Sequence, residues 1–205
     1  MKAIYHTLEQ ELSQSRREHT LAVAQCALDL ARALDLSAQQ LKGLEKAALL
    51  HDLTKEKPLA WHQSYLRERR QALGPDELKS PAVVHALSAA LVAQEEFGLE
   101  APYAQAIRYH TTGHPDMELL DKILFTADYV EPTRPHPACR RQALWLEKNL
   151  ALAQDRQQRL AILNQAVYNI LDATCQHLQE KGQAIHPATL QTLLALCPNG
   201  KEPQI

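Results

Sequence analysis

Leu and Ala returning every three or four residues is the feature of this chain that most narrows its possible folds. From about Ser15 to Leu36, the residues Leu21, Ala24, Ala27, Leu28, Ala31 and Leu34 fall at helical spacing and mark one apolar stripe. Ser37 then stands where a helix cap is expected, and Leu41, Leu44, Ala47, Ala48 and Leu50 carry a second helix up to His51-Asp52. Leu53-Thr54-Lys55 and Pro58 close that helix. A polar segment follows, with Trp61, Tyr65 and Leu66 as its apolar contacts and loops at Leu73-Gly74-Pro75 and Ser80-Pro81. The next helix is expected from Val83 to Phe97, with Val84, Leu87, Ala90, Leu91 and Ala93 inward and Gly98 ending it. Further helices should cover Tyr103 to Tyr109 and Met117 to Tyr129, the second stopped by Pro132, Pro135 and Pro137. The remainder predicts helices over Ala138 to Ala151, Asp155 to Lys181 and Ala188 to Leu196.

Composition agrees with an all-α fold. Apolar residues make up 45% of 205, supplied by Leu and Ala rather than by strand-forming Val, Ile, Tyr and Phe, and there are only 6 glycines. This length buries one sizeable core, and no change in composition divides it. The formal net charge is -2, and apart from Arg16-Arg17, Arg67-Arg69-Arg70 and Arg140-Arg141 the basic residues are scattered. With few aromatics to stack on bases, nucleic acid is not the expected partner, while a small anionic ligand is compatible. Cys26, Cys139, Cys175 and Cys197 form no CxxC, which fits a reduced, cytoplasmic setting. No signal-peptide run and no membrane-spanning stretch is expected.

Ten histidines are more than a chain of this size ordinarily carries. His19, His51, His85 and His110 lie at or near the ends of expected helices or beside a turn of an adjacent one, where separate segments can converge on one pocket. Adjacent helical residues point about 100° apart, so His51 and Asp52 can share one ion only where the helix end turns both into a cleft. Imidazole with carboxylate suits Fe, Mn, Zn or Co, and the lack of a nearby cysteine disfavours a structural thiolate zinc site. Alone, the pair also reads as a capping histidine and a solvated loop acid.

Arg-Arg-Glu-His19-Thr, Leu-Leu-His51-Asp52-Leu-Thr-Lys55 and Thr-Ala-Asp128-Tyr-Val-Glu-Pro together resemble the HD superfamily of metal-dependent phosphohydrolases over nearly the full length. More narrowly, the chain is similar to the YqeK-type HD proteins, which are symmetrical dinucleoside tetraphosphatases. Tyr109-His110-Thr111-Thr112-Gly113, Ala127-Asp128-Tyr129-x-Glu131-Pro132-x-Arg134 and Lys181-Gly182-Gln183-x-Ile185-His186-Pro187 carry that likeness. Where the family's late helix has Thr-Ile-x-aromatic, this chain has Thr174-Cys175-Gln176-His177.

The resemblance implies a single HD-type helical bundle over residues 1–205, with its metal site at converging helix ends. A catalytic core would span about 15–182, and 183–205 would form a packing segment whose Leu190, Leu193, Leu194 and Leu196 cover the core or a homodimer contact. It implies His19, His51, Asp52 and Asp128 as metal ligands, with iron the metal and Mn, Co or Zn as substitutes, in one or two ions. Asp52, His85 and His110 would be catalytic, the two histidines holding a second ion or the phosphate chain. Substrate contacts would fall to Arg16, His19, Asp52, Leu53, Thr54, Lys55, His85, His110, Thr111, Asp128, Arg134 and Thr174. By composition Arg16, Lys55 and Arg134 also read as solvated charges, and Thr111-Thr112-Gly113 as an ordinary turn. His6, His62, His114, His136, His177 and His186 are expected to be structural. The implied reaction is cleavage of diadenosine tetraphosphate into two ADP. An HD hydrolase of another nucleotide or phosphodiester, and a non-catalytic metal- or nucleotide-binding module, are the alternatives.

Overall fold

The computed structural model describes residues 1–197, and the last residues of the expected 183–205 segment lie outside the described ones. Every regular element among the described residues is helical: α1 Lys2–Glu11, α2 Gln14–Ala33, α3 Ala38–Leu50, α4 Leu59–Glu68, α5 Pro75–Lys79, α6 Val84–Phe97, α7 Ala101–Tyr109, α8 Leu119–Val130, α9 Pro137–Leu152, α10 Arg156–Glu180 and α11 Pro187–Ala195. A 3-10 turn over Pro81–Val83 leads into α6. Local chemistry sets most boundaries. Ser13 caps α2 by accepting from Arg16 N, and Ser37 with Gln40 forms a reciprocal capping box on α3. Gly98, left-handed at φ 60°, ends α6, with Leu99 N returning to Ala93 O at 3.0 Å.

Three helices were not expected. α1 has only Ile4 and Leu8 to bury within it, too sparse a stripe to stand out in the sequence. α4 lies in the segment read only as polar, with Trp61, Tyr65 and Leu66 as its apolar contacts, and Pro58 at its N-cap begins it instead of merely ending what precedes. The five-residue α5 begins at Pro75, within the expected loops.

Two apolar faces are also turned from where periodicity put them. On α2 the buried side is His19, Thr20, Val23, Ala24, Ala27, Leu30 and Ala31, while Leu21 is exposed. The reason is that α2 is packed by both α3 and α8, so its covered arc is wide and centred away from Leu21. On α6 the residues sent deepest are Ala86, Ser88, Ala89, Val92 and Ala93 along with Val84 and His85, and Leu87 and Leu91 are only half-buried. Small residues let neighbouring backbones approach, and α6 lies against α7, α4 and α3. The long α10 packs on α8 and α9, so α8 is touched from several sides and carries its residues through the middle of the bundle. In the C-terminal segment Leu193 is fully buried and Leu190 and Leu196 pack against the core, but Leu194 faces out.

The crossing of α3 and α7 is unusually close at Gly43, where an added β-carbon would overlap the Tyr103 ring. Gly43→Ala should therefore destabilise the fold by about 1–3 kcal/mol despite alanine's better helix propensity. Urea unfolding checks this: the midpoint should fall at unchanged slope, and an unchanged or higher midpoint would contradict the close crossing.

Candidate metal centre

Three helices and two helix ends bring six side chains together. His19 comes from the buried face of α2, His51 is the C-cap of α3 with Asp52 next to it, His85 sits in the first turn of α6, His110 is the C-cap of α7, and Asp128 lies near the end of α8. All four imidazoles and Asp52 are buried.

The rings share one orientation. Nδ1 of His51, His85 and His110 donates to the carbonyls of Ala48, Ala82 and Ile107 at 2.7, 2.8 and 2.6 Å. Carbonyls only accept, so these nitrogens carry the ring proton and the Nε2 lone pairs face the cluster. His19 is inside a helix whose carbonyls are already engaged, and its Nδ1 instead meets the carboxylate of Glu131 at 2.9 Å. Its Nε2 lies 3.0 Å from Asp128 Oδ1 and 3.7 Å from Asp52 Oδ2. His51 Nε2 is 3.7 Å from each of the same two oxygens. On the other side, His85 and His110 Nε2 stand 2.9 and 3.5 Å from Asp52 Oδ1 and 3.2 Å from each other.

Lone pairs facing carboxylate oxygens repel unless positive charge lies between them. His19 Nε2, His51 Nε2 and Asp52 Oδ1 are accordingly buried without a hydrogen-bond partner. Three donor triplets are close enough to hold a cation: His19-His51-Asp52, His51-His110-Asp128 and Asp52-His85-His110. The donor set is nitrogen and oxygen without sulfur, and each imidazole has an outer partner fixing its tautomer, as metal-binding histidines require.

Burial is the largest influence on Asp52, Asp128, His51 and His85, and the neighbours decide the outcome. It would raise Asp52, but His51, His110, His85 and Lys55 hold that carboxyl well below its ordinary range. Asp128 is likewise held low against burial by His19, His51 and Arg134. Burial would lower His51, yet Asp52 and Asp128 bring it above its usual value, so its Nε2 attracts a proton or whatever cation replaces it. For His85, burial with Lys55 and His110 outweighs Asp52 and depresses the imidazole to about 3, leaving it a neutral base.

Cations ring the carboxylates. Arg16 Nη1 is 2.8 Å from Asp52 Oδ2, Arg134 Nη2 is 2.5 Å from Asp128 Oδ1, and Lys55 Nζ is 3.1 Å from His85 Nε2 and 4.0 Å from Asp52 Oδ1. Leu53 and Thr54 are turned inward: Leu53 is in the core, and the Thr54 hydroxyl is engaged with His85 O and Ser88 Oγ at 3.0 and 2.9 Å. Those two positions have only backbone to offer a ligand. His62, buried, bonds Ser88 Oγ at 2.8 Å behind this same knot.

A cavity of about 510 Å³ opens beside His110 and Asp128, within the usual range for small-molecule sites. Lys55, Thr111 and Thr174 line it, with Phe125, Ile170 and Leu178 as apolar surface. Gln183, His186 and Thr189 line it as well, so the segment after residue 182 does more than pack.

Sequence reasoning missed Glu131, Thr133 and Glu56. Glu131 is buried, orients His19, and accepts from Thr133 N and Oγ1 at 2.6 and 2.7 Å. Its signal was present three residues after Asp128, in the quoted Glu-Pro. Glu56 accepts from Ser13 N and Oγ at 2.7 and 2.6 Å, tying the start of α2 to the segment that follows Asp52. Nothing in the sequence signals a pairing between segments so far apart.

A family model described as HD domain matches residues 16–133. The symmetrical bis(5'-nucleosyl)-tetraphosphatase of Halalkalibacterium halodurans is 34% identical over 184 residues, covering 88% of this chain and 88% of that protein. The protein of the same name from Bacillus subtilis is 33% identical over 187 residues, 90% of this chain and 91% of that one. A crystal structure of a predicted HD superfamily hydrolase involved in NAD metabolism, from Clostridium acetobutylicum, superposes with a TM-score of 0.82 at 27% identity, covering 95% of each chain.

Because Glu131 holds the His19 ring, Glu131→Ala should weaken transition-metal binding roughly 10- to 100-fold, and Glu131→Gln less. Competition against a calibrated chelator measures it, and parental affinity in Glu131→Ala would rule out the orienting role.

Proposed function

The chain belongs to the HD-domain family, and from there we propose that it hydrolyses diadenosine tetraphosphate symmetrically to two ADP, using a metal held by His19, His51, Asp52 and Asp128. The observation that carries the reading is the convergence of Nε2 lone pairs on the buried Asp52 and the part-buried Asp128 carboxylates beside a cavity of nucleoside size. The substrate follows from the relatives named for that activity along nearly their whole length. Iron is the metal we infer, since an imidazole-carboxylate set without thiolate suits it, with Mn, Co or Zn as substitutes.

When bound, the metal supplies Lewis-acid activation of water and of a phosphoryl oxygen. The chain's own residues do the rest. Glu131 keeps His19 in the tautomer that presents Nε2. Arg16, Lys55 and Arg134 supply positive charge for the phosphate chain and for the departing ADP. A nucleoside between Phe125, Ile170 and Leu178, near Thr174, directs its 5'-phosphates past Thr111 toward His110 and Asp128.

His85 and His110, with Asp52, form the second side. With its proton on Nδ1, His85 Nε2 accepts and does not donate to a phosphate oxygen, so a cation belongs there. Lys55 already offers one at 3.1 Å, and a second metal ion is the other candidate. Metal content per chain, after anaerobic purification, separates them. All six cluster positions are present, which weighs against a non-catalytic binding module, and substrate profiling separates other nucleotides and phosphodiesters.

No described helix is long and apolar enough to cross a membrane. We place the protein in the cytoplasm on the strength of Cys26, Cys139 and Cys175 standing as thiols. Leu194, exposed on α11, offers an apolar contact for a homodimer.

Metal-loaded protein given diadenosine tetraphosphate should yield ADP as its one nucleotide product by chromatography; ATP plus AMP, or no turnover, would overturn the reading. Asp52→Ala should lower kcat by about 10³-fold or more, since it removes the carboxylate shared by both sides of the cluster.

A further inference from the structure

Three His-Pro turns occur in the chain, at His114-Pro115, His136-Pro137 and His186-Pro187. In each the histidine Nδ1 accepts the backbone N–H two residues on, from Asp116, Ala138 and Ala188, at 3.2, 3.3 and 3.2 Å. An accepting Nδ1 puts the ring proton on Nε2. These rings are therefore the reverse of the cluster histidines: their free nitrogen donates.

At His186, which caps α11, that nitrogen has a distinct setting. It is buried without a hydrogen-bond partner, and the residue lines the cavity beside the cluster. The nearest acid, Glu77 Oε1 on α5, is 3.7 Å away, beyond hydrogen-bond length. His136 caps α9 by the same device and does not line the cavity. A buried unmatched donor is costly to leave unpaired, and a ligand acceptor in the cavity would satisfy it.

We propose that His186 is a ligand-reading residue whose Nε2–H donates to an acceptor on the nucleoside, a ribose oxygen or a ring nitrogen of the base. This rests on the cavity being the nucleoside seat. It assigns to the segment beyond residue 182 a part in substrate choice, and none in the bond-breaking step.

The cap and the ligand contact can be separated, because Asn and Ser cap helices well but do not reach as an imidazole does. His186→Asn should melt within a few degrees of the parent, bind ADP about five- to tenfold more weakly, and raise KM by a similar factor with kcat nearly unchanged. His186→Ser should behave alike, His136→Asn should bind ADP as the parent does, and tripolyphosphate, which lacks a nucleoside, should bind all of them equally. Weaker discrimination between ADP and 2'-deoxy-ADP in His186→Asn would assign the contact to the ribose, and retained discrimination to the base. Parental ADP affinity and KM in His186→Asn would overturn the proposal while leaving the hydrolase reading intact. Products other than ADP, or no ADP binding by the parent, would remove the reading on which it rests. Should both variants fail to fold, ¹⁵N spectra of the parental imidazoles decide: the His186 Nε2 signal must move on adding ADP, and a stationary signal refutes the contact.

Discussion

At His51, His85 and His110 the ring proton goes to the carbonyl three residues earlier, and the site depends on that short-range bond. Helix C-termini leave carbonyls without intrahelical partners, so His51 and His110, each at a C-cap, can satisfy one with their own Nδ1–H, while His85, in the first turn of α6, bonds the Ala82 carbonyl of the 3-10 turn before it. Doing so turns Nε2 away from the backbone and fixes it as a lone pair. His19 lies mid-helix, and Glu131 supplies from another element what the backbone supplies elsewhere. With all four rings set this way, Asp52 meets His19 and His51 through Oδ2 and His85 and His110 through Oδ1. The cluster then has a strong preference for positive charge at its centre, expressed at present by Arg16, Lys55 and Arg134 on its edges.

Packing serves that arrangement. Ala86, Ala89 and Ala93 allow α6 to come close to its neighbours, and Gly43 does the same for α3 against the Tyr103 ring of α7. Behind the cluster the Thr54 and Ser88 hydroxyls both reach His85 O, pinning the segment after Asp52 to α6. Glu56 pins the same segment to the start of α2. A rigid surround of this kind is what keeps donor atoms on target when a metal or substrate arrives.

Much of the helical content was legible because Leu and Ala repeat at 3.6-residue spacing and Ser37 and Gly98 carry cap chemistry. Where the pattern was thin, as with Ile4 and Leu8 on α1, or overlaid by polar residues, as along α4, tertiary burial made helices that local periodicity did not announce. The faces of α2 and α6 were misplaced for a related reason. Periodicity locates the apolar side of an isolated helix, whereas Leu21 and Leu87 are where they are because of which neighbours cover each arc.

The sequence by itself determined the kind of fold, the identities of the six cluster residues and the family they point to, since helical spacing and spaced His and Asp motifs are properties of the chain order. Only the tertiary structure decided which ring nitrogens face inward, that Thr54 is a pin while Thr174 and His186 line the cavity, and that Glu131 stands behind His19. Such facts depend on which acceptor lies within 3 Å of a given donor. His19 and Glu131 are 112 residues apart along the chain, and only the packing of α2 against α8 makes them neighbours.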